Sequence, residues 1–192
     1  MPDITDIIKD KVIKICEAYE QKTGDDEMRH IKSVVDISGR LAGKFGADKE
    51  ITVLSAYLHD ISEPSEYGDR DDHHIYSAEL AGKMLAELNY PADKIERVKK
   101  CVLHHRGSKM MAKESVEEEC VADADAISHF YSLPGLFQVA YGPKGLTTEQ
   151  GREWVRKKLE NDLNKLSQKS RDLYKSRYDL IVEALFGGDY KA

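Results

Sequence analysis

The sequence predicts an all-α fold, and three observations carry that reading. Apolar residues recur three and four positions apart along almost the whole chain, the spacing of one face of an α-helix. Sustained alternation of apolar and polar residues, the mark of a half-buried strand, is missing, as are the Asn-Gly and Asp-Gly pairs that close tight hairpins. Breakers such as Gly24, Gly46 and Pro91 fall at helix-length intervals.

The elements follow in order. A first helix is expected from about Ile4 to Thr23, with Ile8, Val12, Ile15 and Tyr19 as its apolar stripe and Gly24 as its stop. Asp25, Asp26 and Glu27 suit the positive N-terminal end of a second helix, whose stripe of Met28, Ile31, Val34, Val35, Leu41 and Phe45 ends at Gly46. The third, Asp48 to about Ile61, is apolar on most faces and is expected to be the most buried. A polar loop covers 62–71. A fourth helix is expected from about Asp72 to Leu88. A fifth opens after Pro91 and ends at His104-His105-Arg106-Gly107, and a sixth runs from about Glu114 to Tyr131. Leu133 to Thr148, with Pro134, Gly135, Gly142, Pro143 and Gly145, reads as a long irregular loop. Two charged amphipathic helices close the chain, about Thr148 to Ser167 and Ser170 to Phe186. The whole is expected to be one domain, 1–192, built as a compact bundle of about six to eight helices.

Composition narrows the function. The 192 residues carry a formal net charge of −6 with no long basic block, so binding to nucleic-acid duplexes is not expected. Cys16, Cys101 and Cys120 are odd in number, widely spaced and never in a Cys-x-x-Cys pair, which fits a reducing compartment rather than a disulfide framework. No apolar run approaches the ~18 residues of a membrane span, and the first residues lack the pattern of a signal peptide. The expected location is cytoplasmic. Oligomeric state is not legible.

The histidines carry the chemistry. Six of seven fall on or at the ends of four predicted helices: His30 early in the second, His59 ending the third, His73 and His74 opening the fourth, His104 and His105 ending the fifth. A bundle that gathers those ends gathers imidazoles. Carboxylates complete such a set for a divalent ion: Asp60 adjoins His59, and Asp123 and Asp125 lie in an apolar part of the sixth helix, where an unpaired acid is costly.

His30, then His59-Asp60 a further 59 − 30 = 29 residues on, then an Asp within Asp123-Ala124-Asp125-Ala126-Ile127, resemble the signature of the HD superfamily of metal-dependent phosphohydrolases, and in particular its small stand-alone members. Tyr57-Leu58-His59-Asp60-Ile61 is similar to the family's Ala-Leu-Leu-His-Asp-Ile. The resemblance covers about 25–130. It implies an HD-domain bundle and a divalent ion (Mn, Fe, Co, Ni, Zn or Mg) on His30, His59, Asp60 and Asp125. Asp125 is preferred to Asp123 by its place in the motif. His73 or His74, and His104 or His105, match the further histidines of dinuclear members, so a second ion on these four candidates is left open against a role in substrate handling and proton transfer.

The implied reaction is hydrolysis of a phosphate ester or anhydride, in the phosphoester or acid-anhydride hydrolase classes, by attack of a water activated by the metal. The implied substrate is a small phosphorylated molecule, a nucleotide above others. Asp60, Glu63, His73, His104 and His105 are the candidate catalytic residues. Glu63, three residues after Asp60, resembles a proton-transfer glutamate of the nucleotidase branch, and a histidine of either pair suits the same task. Arg29, Arg106 and Lys109 are the candidate phosphate-binding cations. His129, one turn after Asp125, reads as a support for that aspartate or as a histidine with a backbone partner, and Cys101 reads as core. The rival reading is a degenerate HD domain that binds metal or nucleotide and regulates a partner.

Overall fold

Among the described residues of the computed structural model, 3–106 and 112–187, all regular structure is helical. The chain divides into two compact units, residues 1–124 and 125–192. Helix α1 spans Ile4–Thr23, α2 Glu27–Phe45, α3 Lys49–Leu58, α4 His73–Glu87, α5 Ala92–His104 and α6 Val116–Ser128, the last running across the division. α7 (Leu133–Tyr141), α8 (Thr148–Lys165) and α9 (Gln168–Phe186) belong to the second unit. Aspartates start the early helices. Asp3 accepts from the Thr5 N–H, Asp26 from Arg29 and Asp48 from Glu50 and Ile51, each satisfying donors that a helix start leaves orphaned. Gly24 and Gly46 end α1 and α2 at φ +81° and +76°, where a side chain would be strained.

In the first unit α3 packs against α1, α2 and α5. Ile51, Leu54, Ala56 and Leu58 of α3 have no exposed surface. Of these, Ile51, Leu54 and Leu58 meet Ile8 and Val12 of α1, Ile31 of α2, Leu85 of α4 and Val98 and Val102 of α5 in one core. The two buried hydroxyls of this helix stay satisfied, because Thr52 and Ser55 donate to the carbonyls of Asp48 and Ile51, each at 2.7 Å. Cys101 is buried in that core, and desolvation pushes its thiol up to about 12.

The third helix ends three residues earlier than the sequence pattern predicts. After Leu58 the backbone tightens into turns bonded three residues back, with Ile61 N–H to Leu58 at 3.3 Å and Glu63 N–H to Asp60 at 3.0 Å. His59 becomes the C-cap of α3, and Asp60 stands just beyond the helix.

In the second unit the expected irregular loop is overturned in its first half: residues 133–141 form α7. Pro134 sits in the first turn, where its missing N–H costs nothing, and Leu136 and Ala140 are buried one turn apart. A second factor is Gly151 of α8, at which a Cβ would lie 2.3 Å from the Tyr141 ring. The described residues thus hold nine α-helices, α7 being the one beyond the expected range. α8 opens with a capping box between Thr147 and Gln150.

Because Leu54 is fully enclosed in the first unit, Leu54→Ala should cost about 2–5 kcal/mol of unfolding free energy. Chemical denaturation followed by circular dichroism measures it; a loss below about 1 kcal/mol would contradict this packing.

Candidate metal centre

Four imidazoles of the first unit converge on Asp60. On one side of the carboxylate, His59 Nε2 lies 3.3 Å and His30 Nε2 3.7 Å from Oδ2. On the other, His105 Nε2 lies 3.2 Å and His73 Nε2 3.4 Å from Oδ1. His30 and His59 approach each other at 3.1 Å between their Nε2 atoms. These form two sets with ligand atoms within 4.8 Å of one another, His30–His59–Asp60 and Asp60–His73–His105, with Asp60 common to both.

The ring protons explain the arrangement. His59 Nδ1 lies 2.8 Å from the Ala56 carbonyl, His73 Nδ1 2.9 Å from that of Arg70, and His105 Nδ1 2.6 Å from that of Val102. A carbonyl only accepts, so Nδ1 carries the proton in each ring and the neutral ring turns the Nε2 lone pair toward Asp60. Among the described residues Asp60 Oδ1 is buried with no hydrogen-bond partner. Acceptors facing acceptors across 3.2–3.4 Å repel unless a cation lies between them or the rings become charged. The donor set of imidazole nitrogen and carboxylate oxygen suits a divalent transition ion. Desolvation pushes the Asp60 carboxyl up, but where the rings are charged His59, followed by His105, outweighs it and holds Asp60 well below the usual carboxylate range.

Buried polar contacts support both sides. Ser62 donates from Oγ to the His73 carbonyl at 3.1 Å and accepts there from Ser77 at 2.9 Å, while the Ser62 N–H donates to Ser77 at 3.1 Å. The turn after Asp60 is thereby tied to the start of α4. Of the paired histidines, His73 and His105 meet Asp60. His74 is buried beside His73, and His104 pairs with Glu118 at 2.6 Å.

Other predicted residues fall at various distances from this centre. Glu63 is mostly buried and paired with Arg70 at 3.3 Å. Both line a pocket of about 190 Å³ whose wall includes His73, Ser62, Tyr19 and Thr23. Arg29 is largely exposed and engaged with Asp26 at 3.2 Å. Arg106 donates to the Asp71 carbonyl. Lys109 lies outside the described residues. Asp123 is buried rather than a surface acid. The sequence reading passed over Arg70, Glu27 and Glu118. Burial, followed by the charges of Glu63 and Asp60, pushes the Glu27 carboxyl up to about 7.

In the second unit Asp125 stands on the last turns of α6, with ligand atoms of Asp125 and His129 within 4.8 Å. One partner of His129 there is a side chain: His129 Nδ1 lies 3.1 Å from Asp162, which is 1% exposed and also holds Lys158 at 2.7 Å. Burial alone would raise the Asp162 carboxyl, but His129 and Lys158 turn the shift downward.

The HD domain family model matches residues 28–129, and the chain belongs to that family. It is 30% identical over 92 residues to an uncharacterized protein of Clostridium beijerinckii, spanning 59% of that protein, and 27% identical over 110 residues to ribonuclease Y of Rubrobacter xylanophilus, spanning 20% of it. Its fold is similar to that of Bacillus subtilis YpgQ, with a TM-score of 0.68 at 18% identity over 94% of this chain and 91% of that one. YpgQ has also been solved in complex with ADP, a structure that matches with a TM-score of 0.62 at 18% identity over 91% of this chain and 93% of that one. Among the described residues no helix is long and apolar enough to cross a membrane.

The raised Glu27 carboxyl has a testable sign. Between its ordinary value of 4.5 and about 7 the folded metal-free chain binds a proton that the unfolded chain has lost. Stability therefore falls as pH rises through that window. Glu27→Gln should flatten the fall, by at most roughly 3 kcal/mol between pH 4.5 and 7. Urea titrations of metal-free native and variant chains measure it; parallel pH profiles would contradict it.

Proposed function

We propose that this chain is a metal-dependent phosphohydrolase that cleaves a phosphate ester or anhydride, with a nucleotide as substrate. The observation that carries the reading is the single carboxylate of Asp60 presenting each oxygen to a different pair of imidazoles. In this reading His30, His59 and Asp60 would hold one divalent ion, and Asp125 is its further ligand by the sequence motif alone. Asp60, His73 and His105 would hold a second, with Asp60 common to both sets. Bound there, such ions act as Lewis acids toward phosphate and lower the pKa of water.

The chain's own residues supply the remainder. Glu63 stands in the pocket beside His73 and is placed to take or return a proton, with Arg70 fixing its carboxylate. Arg70 and Arg106, with Arg29 and Lys109 as further candidates, provide positive charge for the non-bridging phosphate oxygens. His104, committed to Glu118, is assigned a supporting role rather than proton transfer. The ADP found in the YpgQ complex supports a nucleotide as the ligand class.

Two measurements test this. The chelated native chain titrated with Mn²⁺ should bind two ions, and a His73→Ala, His105→Ala double variant one. One ion in both would reject the bridging arrangement. On a panel of nucleotides and simpler phosphate esters, Asp60→Ala should lose at least roughly 100-fold in turnover, because it removes a ligand from both ions that acidify water. Turnover within a few fold of the native chain would reject the metal-dependent reaction.

A further inference from the structure

Glu118 lies within the run Glu117-Glu118-Glu119 at the start of α6, where three acids suit the positive end of a helix. Unlike an ordinary surface acid it is only 2% exposed. Its carboxylate takes three donors: the ring of His104 at 2.6 Å, the Glu114 N–H at 3.1 Å and the Ser115 hydroxyl at 3.2 Å. The last two are local and cap α6, with Ser115 returning the favour to the Glu118 N–H at 3.2 Å. The contact to His104 is different in kind. It spans fourteen residues, is buried at both ends, and joins α6 to the last residue of α5. Lys113 adds a second tie by donating to the His104 carbonyl. The end of α5 is thus held by its side chain and by its backbone.

The residue so held is the immediate neighbour of His105. A ring reaching from a helix end depends on where that end lies, and an error of an ångström separates a ligand from a bystander. His105 is fixed locally by its 2.6 Å contact to Val102, which sets the ring but not the position of the helix end. The buried Val98, Cys101 and Val102 place the body of α5, and the His104–Glu118 contact is a buried side-chain tie at its last residue, next to the C-cap His105.

We propose that Glu118 is a positioning residue for the second ion: through His104 it fixes the end of α5 and so holds His105 Nε2 against Asp60 Oδ1, setting the affinity for that ion without touching it. This rests on the two-ion reading given above. Loss of an outer partner of a ligand typically lowers metal affinity about 10- to 100-fold. A cap of α6 alone would affect stability and both ions alike.

The experiment is Mn²⁺ titration of the whole, chelated chain, followed by calorimetry and by the exchange-coupled electron paramagnetic resonance signal of a Mn²⁺ pair. Glu118→Ala should weaken the second ion about 10- to 100-fold and leave the first within about twofold, with the coupled signal lost at Mn²⁺ levels that saturate the native chain. Glu118→Gln, which still accepts from His104, should recover most of the second-ion affinity. Glu118→Ala with a native second-ion affinity, or with both ions weakened equally, overturns the proposal. Should Glu118→Ala not fold, Glu118→Asp decides: the shortened carboxylate must weaken the second ion selectively, and native affinities in that variant overturn the proposal. A native chain that binds one ion overturns the two-ion reading itself; a native chain with two ions and an unaffected Glu118→Ala overturns only the role of Glu118.

Discussion

A hydrogen bond from ring Nδ1 to the carbonyl three residues earlier recurs at His59, His73 and His105, and the centre depends on it. For His59 and His105 the acceptor belongs to the last turn of a helix, where carbonyls lack the amide that would otherwise satisfy them. The helix end thus gains a partner for an orphan acceptor, and the imidazole gains a defined tautomer. With Nδ1 committed, the neutral ring has only a lone pair at Nε2, and that lone pair is what a divalent ion needs. Helix ends are therefore good places for these histidines for a reason independent of bundle geometry.

The same economy creates an electrostatic problem that shapes the surroundings. Asp60, Glu63 and Glu27 share a small, partly dry region, and the charge of the first two helps push Glu27 up to about 7. Arg70 offsets Glu63 from the rim. Bound cations would relieve the remaining repulsion, both among the carboxylates and between Asp60 and the Nε2 lone pairs. A cation that relieves this repulsion in the folded chain would stabilise it by mass action, which is how binding and stability are linked.

The helices were legible because the apolar spacing of three and four is a direct imprint of burying one face. Val12, Ile31, Leu54 and Val102 all fall where that spacing puts them. α7 was not, because Pro134 and Gly135 signal a break when counted by type, whereas a proline in a first turn favours a helix. At the centre, His30, His59 and Asp60 were readable as a motif. Spacing could not choose His73 over His74 or His105 over His104, because adjacent residues at a helix end differ by about 100° in direction and only the packed backbone says which faces Asp60. Glu118 was hidden among three consecutive glutamates. Its one sequence signal is that it precedes Val121 by three, on the buried side of α6.

The two sides of Asp60 are built by different means. The Oδ2 side draws on His30 and His59, from helices that pack directly on each other and carry the fully buried Ile31, Leu54 and Leu58. The Oδ1 side draws on His73 and His105, at the ends of α4 and α5, whose Leu85, Val98 and Val102 share that core but whose ends at Asp60 add polar ties: Ser62 with Ser77 at one, Glu118 with His104 at the other. Apolar packing tolerates small changes by repacking, whereas a buried hydrogen bond that loses a partner leaves an unsatisfied group and no substitute. The geometry on the Oδ1 side is accordingly the more exacting of the two. On the two-ion reading proposed above, a chain could keep the His30–His59–Asp60 set through many substitutions while the His73–His105 side fails with one, which would make the number of ions held a property of the serine and glutamate ties as much as of the ligands.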